Sequence, residues 1–188
     1  MKYVIGVLAT IAVAIFAIIL IVSRGEPPRD QNLDADPQAD LTEYVDTAAT
    51  VSFTTEGELT ADEERRAIRV RINRNERVIE ILTGYDEQVE RSERFSNNQA
   101  AFDAFMHGLK EAGFTREQEP EHDNEKGICP FGRRYLFELR EFGNSIVNLW
   151  ATSCDNDDGT FGGNRHQVRR LFEEQIPDYR QLVNDVDL

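Results

Sequence analysis

A run of nineteen uncharged, mostly aliphatic residues, Val4–Val22, constrains this chain more than any other feature. Wound as a helix with about 1.5 Å of rise per residue, it matches the hydrocarbon thickness of a bilayer. Lys2 and Arg24 bound it. It is longer than the roughly 7–15-residue apolar core of a cleaved signal peptide, and no A-x-A-like site follows it. Residues 1–24 therefore read as a transmembrane signal-anchor helix that stays in the mature protein, and the membrane is the first expected partner, through residues 4–22.

Orientation follows from weaker signals. Lys2 and the amino terminus behind the apolar run favour an N-terminus in the cytoplasm, whereas Arg24 and Arg29 flank the far end and blunt that asymmetry. The two cysteines favour an exported domain, because disulfides persist in oxidising compartments. The expected location is the cell membrane, single-pass, with the C-terminal domain outside the cytoplasm. The type is that of a small bacterial membrane-anchored protein with an outer domain.

Beyond Arg24 the chain carries 19 basic against 35 acidic side chains. Such a surface repels nucleic acid and anionic lipid over a Debye length, so no nucleic-acid partner is expected. Residues 25–43 hold three prolines, several Asp and few aliphatics. They cannot bury enough surface to offset their ordering entropy, and read as a disordered acidic stalk with a reach of about 25 Å.

The folded domain is expected over 44–188. Val51-Ser-Phe-Thr-Thr alternates apolar and polar, as a half-buried strand does. In the next strand Ile68, Val70 and Ile72 point one way, and Arg65, Arg69 and Arg71 the other. Asn73-Arg-Asn-Glu is a turn and Val78–Leu82 the return strand; Gly84 breaks it, and Gln88–Phe95 reads as a weaker fourth strand. Ser96–Gly113 is a helix: Ser96 and Gln99 have capping-box spacing, Phe102, Phe105, Met106 and Leu109 form one stripe, and Gly113-Phe114 has the pattern of a left-handed cap. A second hairpin spans Tyr135–Arg140 and Ser145–Ser153 around Glu141-Phe-Gly-Asn, and a last helix runs over Arg165–Gln175, with Asn164 as its cap and Pro177 beyond its end. The fold class is α+β, an antiparallel sheet of five or six strands in two hairpins with two helices packed on one face.

Cys129 and Cys154 bracket the second hairpin. A two-residue loop at Glu141-Phe142 sets them opposite each other, on the face of Tyr135, Phe137 and Trp150. A bridge there closes a loop of about 25 residues, whereas neither zinc-ligand spacing nor a C-x-x-C motif is present. A structural disulfide is the expectation.

Three other features carry chemistry. Asp155, Asp157 and Asp158, followed by Gly159, resemble the opening of a calcium loop, but Gly159 comes a residue early and His166 stands where a bidentate Glu is needed. The expectation is therefore no cofactor, with calcium as the alternative to a plain turn. Arg65, Arg69, Arg71 and Arg74 form a ligand or partner surface for carboxylate or phosphate groups, or else a solvent face salt-bridged to Glu80, Glu90 and Glu93. The last helix carries Arg165, Arg169 and Arg170 early and Glu173 and Glu174 late, against its dipole, so those arginines pair with the acidic 155–158 loop or face a partner. His107, His122 and His166 lie on separate elements, and the sequence holds no G-x-S-x-G, P-loop, H-E-x-x-H or dinucleotide motif.

The sequence thus points to a binding or interaction module that meets an envelope or surface protein, or an extracellular ligand, through a sheet face or the 155–164 loop. The alternative is an anchored hydrolase using carboxylates, with calcium as an optional cofactor.

Overall fold

The computed structural model of the chain describes residues 39–122, 124–154 and 159–188. The expected membrane helix at 4–22, most of the stalk, and Asp155, Asp157 and Asp158 lie outside the described residues. Among the described residues no helix is long and apolar enough to cross a membrane.

Six strands form one antiparallel sheet: β1 (Thr50–Glu56), β2 (Arg66–Ile72), β3 (Glu76–Thr83), β4 (Gln88–Ser96), β5 (Arg134–Glu141) and β6 (Asn144–Thr152), in the order β4-β3-β2-β1-β5-β6. Each neighbouring pair is joined by a short turn except β1–β2 and β1–β5, so the first strand in sequence sits inside the sheet. Three helices follow: α1 (Gln99–Glu111), α2 (Arg165–Glu174) and the single turn α3 (Tyr179–Leu182). A 3₁₀ turn at Leu41–Tyr44 precedes β1, opened by Asp40, whose carboxylate accepts the Thr42 amide at 3.0 Å. Lys110 on α1 hydrogen-bonds the same carboxylate at 2.8 Å and, with Thr42, holds the Asp40 carboxyl well below its ordinary range.

The period of two in each strand divides the sheet into two faces. Val51, Phe53, Ile68, Val70, Ile79, Phe137, Leu139 and Leu149 line one face and are buried against Phe102, Phe105, Met106 and Leu109 of α1 and Val168 and Phe172 of α2. Aromatic rings dominate the contact. Phe53 lies 5.3 Å from Phe137 and 5.6 Å from Phe172, Phe172 meets Phe105 edge-on at 5.1 Å, and Phe137 stacks on Phe161 at 3.8 Å. Each such pair adds about 0.5–1.5 kcal/mol beyond its buried area.

Local signals fixed α1 and α2, with one correction. Asn98, not Ser96, caps α1, accepting the Ala101 amide at 3.0 Å, because Ser96 is still held in the ladder opposite Glu76. Gly113 takes φ +73 at the other end, with the Phe114 amide reaching back to Leu109 O at 3.0 Å and its ring fully buried. That is the 6→1 closure of a left-handed cap. Asn164 caps α2 through the Gln167 amide at 3.0 Å, as its spacing predicts.

The β5–β6 hairpin departs from the expected register. Its two-residue loop is Phe142-Gly143, not Glu141-Phe142, with φ +47 and +85. A right-twisted hairpin needs both central residues at positive φ, and placing Gly143 second meets half of that demand without strain. Ile146 is then an extra residue on β6, since Leu139 pairs with Val147 and Arg140 with Ser145. One inserted residue flips every side chain beyond it. Trp150 therefore pairs with Leu136 and belongs to the face opposite Tyr135 and Phe137, contrary to the sequence expectation.

The disulfide joins Cys129 to Cys154, with Cα atoms 5.7 Å apart. It is not a strand-to-strand pair. Cys129 lies in the turn before β5, at φ +55, and Gly132 passes so close that a Cβ there would sit 2.5 Å from Cys129 Sγ.

Candidate functional site

Among the described residues no helix packs on the second face of the sheet. Its central row is Thr50, Ser52, Thr54 and Glu56 of β1, flanked in register by Arg71, Arg69 and Ala67 of β2 and by Glu138, Leu136 and Arg134 of β5. Short hydroxyl side chains in the middle and long charged ones on both sides make a trough. Thr54 is only 1% exposed because Arg69 folds over it, its Nε 3.4 Å from Thr54 Oγ1. The result is a groove of about 460 Å³, floored by Thr50, Ser52 and Thr54, with Arg69, Arg71 and Glu87 along one wall and Glu138, Arg140 and Phe142 along the other.

Charges along each wall of the groove are matched in pairs. Arg71 grips Glu80 with Nη2 at 2.5 Å and Nε at 3.2 Å, and Arg69 pairs with Glu87 while standing 4.0 Å from Glu80. On the other wall Ser52 donates to Glu138 at 3.0 Å, and Arg140 donates to Gly143 O at 3.0 Å while remaining 3.9 Å from Glu138. These side chains hold one another in place with donors and acceptors facing solvent. For the exposed pair of Arg140 and Glu138 this attraction contributes little to stability, whereas Glu80 is itself buried.

One end of this face is sealed by a buried triad. Glu56 hydrogen-bonds Arg65 through one carboxylate oxygen, and its other oxygen lies 2.9 Å from Arg134 Nε, an ion-pair contact without hydrogen-bond geometry. The three side chains are at most 9% exposed. Arg65 also donates to Gly84 O at 2.7 Å and lies 4.8 Å from the centre of the Tyr85 ring. Tyr85 pins the covering loop, donating from its hydroxyl to Thr60 O at 3.0 Å and from its amide to Asp62 at 2.6 Å. The Leu59 amide donates to Pro130 O at 2.8 Å, tying that loop to the turn held by the disulfide. One carboxylate shared by two guanidiniums leaves the buried cluster net positive, so it depends on every hydrogen bond around it.

The structure separates the four arginines grouped from the sequence. Arg69 and Arg71 line the groove. Arg65 stands just outside β2 and is buried in the triad, and Arg74 lies in the β2–β3 turn, 3.3 Å from Asp46 O. Of the acids named as cross-strand partners, Glu80 binds Arg71 and Glu90 binds Arg66 at 3.0 Å. The reversed charges of α2 are resolved within the helix, by Arg169–Glu173 at 3.4 Å and Arg170–Glu174 at 2.7 Å, while Arg165 lies over the Tyr135 ring at 5.2 Å and bonds Thr152 O. Sequence reasoning missed Glu56, Arg134, Glu138, Arg140 and Phe142. Alternation along Tyr135–Arg140 marks Arg134, Glu138 and Arg140 as one face, but which strand that face meets is a long-range fact.

A second groove, of about 910 Å³, opens between the 57–64 loop, β4 and the C-terminal residues. It is lined by Glu58, Glu63, Glu64 and Asp187, with Arg91 bound two-pronged to Asp185 at 2.8 and 3.0 Å. That pair lowers the Asp185 carboxyl and raises the Arg91 guanidinium. Among the described residues no cluster of three metal-ligating side chains is present. No protein-family model matches the chain, and no curated protein matches it.

Proposed function

We propose that this protein is a single-pass, membrane-anchored binding module whose extracytoplasmic domain engages a ligand or an envelope partner through the face of its sheet opposite α1 and α2. The apolar run at 4–22 supports the anchor, and the Cys129–Cys154 bridge supports an oxidising location, since such bonds are rare in the cytosol. One observation carries the binding role: a groove crosses the uncovered face, its walls made of mutually braced charges and its floor of hydroxyls. The groove is open, and the carboxylate on each wall is already engaged, Glu87 by Arg69 and Glu138 by the Ser52 hydroxyl, beside arginines and an exposed Phe142. This favours binding over catalysis.

The test is photocrosslinking in intact cells from a benzoylphenylalanine placed at Arg71, beside the groove, and in a separate strain at Arg170 on the outer side of α2. Crosslinked species from position 71 and not from position 170 support the reading. Equal capture from both, or none from position 71, contradicts it. The anchor is tested separately: protease added outside wall-stripped cells cuts near Pro37 if the domain is exported.

A further inference from the structure

Phe142 is expensive where it stands. It is the first residue of the β5–β6 loop, at φ +47, a conformation that bulky L-residues avoid and that Asn, Asp or Gly adopt readily. Its ring is 79% exposed and joins none of the aromatic contacts of the core. Backbone strain acts against folding, and the ring, in water in the folded and unfolded chain alike, returns almost no burial to offset it; an Asn at this position removes the strain. Strain retained without a structural return points to a binding role for the side chain.

The ring stands at the rim of the groove, the one exposed large apolar side chain among its lining residues. Next to it Arg140 is half-exposed, Glu138 is a quarter exposed, and Thr50 is half-buried on the floor, while the buried Ser52 donates its hydroxyl to Glu138. A ligand seated there meets guanidinium donors, carboxylate acceptors and the Thr50 side chain, with a single flat apolar surface at one end. A sugar hydroxyl donates and accepts at once, so it is satisfied by a braced Arg–Glu pair in a way that a purely anionic or purely cationic group is not. One face of a pyranose ring presents only C–H groups, which an aromatic ring covers. An apolar ligand finds too little apolar lining, and a polyanion faces a chain of net charge −14.

We infer that the groove beside Phe142 is a saccharide-binding site, with Phe142 as the stacking platform, Arg140, Glu138 and Thr50 as the hydroxyl-reading surface, and Ser52 holding Glu138 in place. This rests on the sheet-face reading of the preceding section and names its ligand class.

The experiment uses the full chain in phosphatidylcholine nanodiscs, titrated calorimetrically with three probes: a neutral hexose oligomer, an N-acetylhexosamine oligomer and a uronate oligomer. At least one probe binds at concentrations below about 10 mM. F142N weakens that binding at least tenfold and at the same time raises the melting temperature, a pair of changes that a structural role cannot produce. F131N, at the equally exposed Phe131, leaves binding unchanged. The inference is overturned if no probe binds, if F142N binds as the parent does, or if F142N melts lower. Failure of all three probes while position 71 still crosslinks to a protein in cells removes the saccharide and keeps the sheet face. Failure of both removes both.

Discussion

Replacing Glu56 by Gln gives the sharpest test of how the open face is held together. Among the described residues the carboxylate is the single counter-charge for Arg65 and Arg134, and all three side chains are at least nine-tenths buried. The substitution keeps shape and one acceptor oxygen but leaves two guanidiniums in a low-dielectric site. Breaking a buried pair in this way costs about 3–5 kcal/mol, because the stranded charge cannot recover its hydration. For a folded unit of this size each kcal/mol lowers the melting temperature by about 2–4 °C, so E56Q should melt about 10 °C below the parent. Urea unfolding followed through Trp150, the sole tryptophan and itself buried on the same face, reads the change with the disulfide intact. The control is the triple exchange E56L/R65M/R134M, which removes every charge together and should stay within about 1–2 kcal/mol of the parent or exceed it. An E56Q loss below about 1 kcal/mol, or a triple variant as weak as the single one, refutes the reasoning.

Three further outcomes are expected. Exchanging Cys129 and Cys154 for Ser together should cost about 3.5 kcal/mol on the chain-entropy scale for a separation of 25 residues, and a maleimide should label neither sulfur until the native protein is reduced. Burial, with Glu173 nearby, raises the Tyr179 hydroxyl to about 12 from 10.0. The unfolded chain therefore gives up this proton first, so the stability Tyr179 contributes is intact below pH 10 and is lost between about pH 10 and 12, a decline that Y179F should reduce in an alkaline unfolding series. A Cβ on Gly163 would lie 2.2 Å from Gly113 O, backbone against backbone, so G163A should cost about 2 kcal/mol or more by thermal unfolding, while G127A, with nothing within 4 Å, lacks any such clash.

What could be read from the sequence was local. The arginine-isoleucine alternation of β2, the aromatic stripe of α1, the Gly113-Phe114 cap and the Asn164 cap each depend on residues within a turn or two of one another, and each is found as the pattern implies. The antiparallel sheet with helices on one face likewise follows from element order and period, five or six strands being expected and six found. Registers and long-range partners did not follow. Gly143 favours the Phe-Gly loop over Glu-Phe, but no local pattern marks the extra residue at Ile146 that moves Trp150 to the other face. Arg65 shares parity with Arg69 and Arg71, yet it lies one residue before the strand begins and turns into a buried cluster with Glu56 and Arg134, residues far apart in the chain. The groove itself is the meeting of β1, β2 and β5, which only the sheet order brings together.

Arginine footprinting with phenylglyoxal, on cells and on purified full chain in parallel, tests the binding face most directly. Side-chain exposures of 38% for Arg71 and 53% for Arg140 leave both accessible in the isolated protein, beside 79% for Arg170 on α2. An occupied groove shields Arg71 and Arg140 from the reagent in cells while Arg170 reacts equally in both preparations. Equal modification of Arg71 and Arg140 in cells and in purified protein contradicts a binding role for this face.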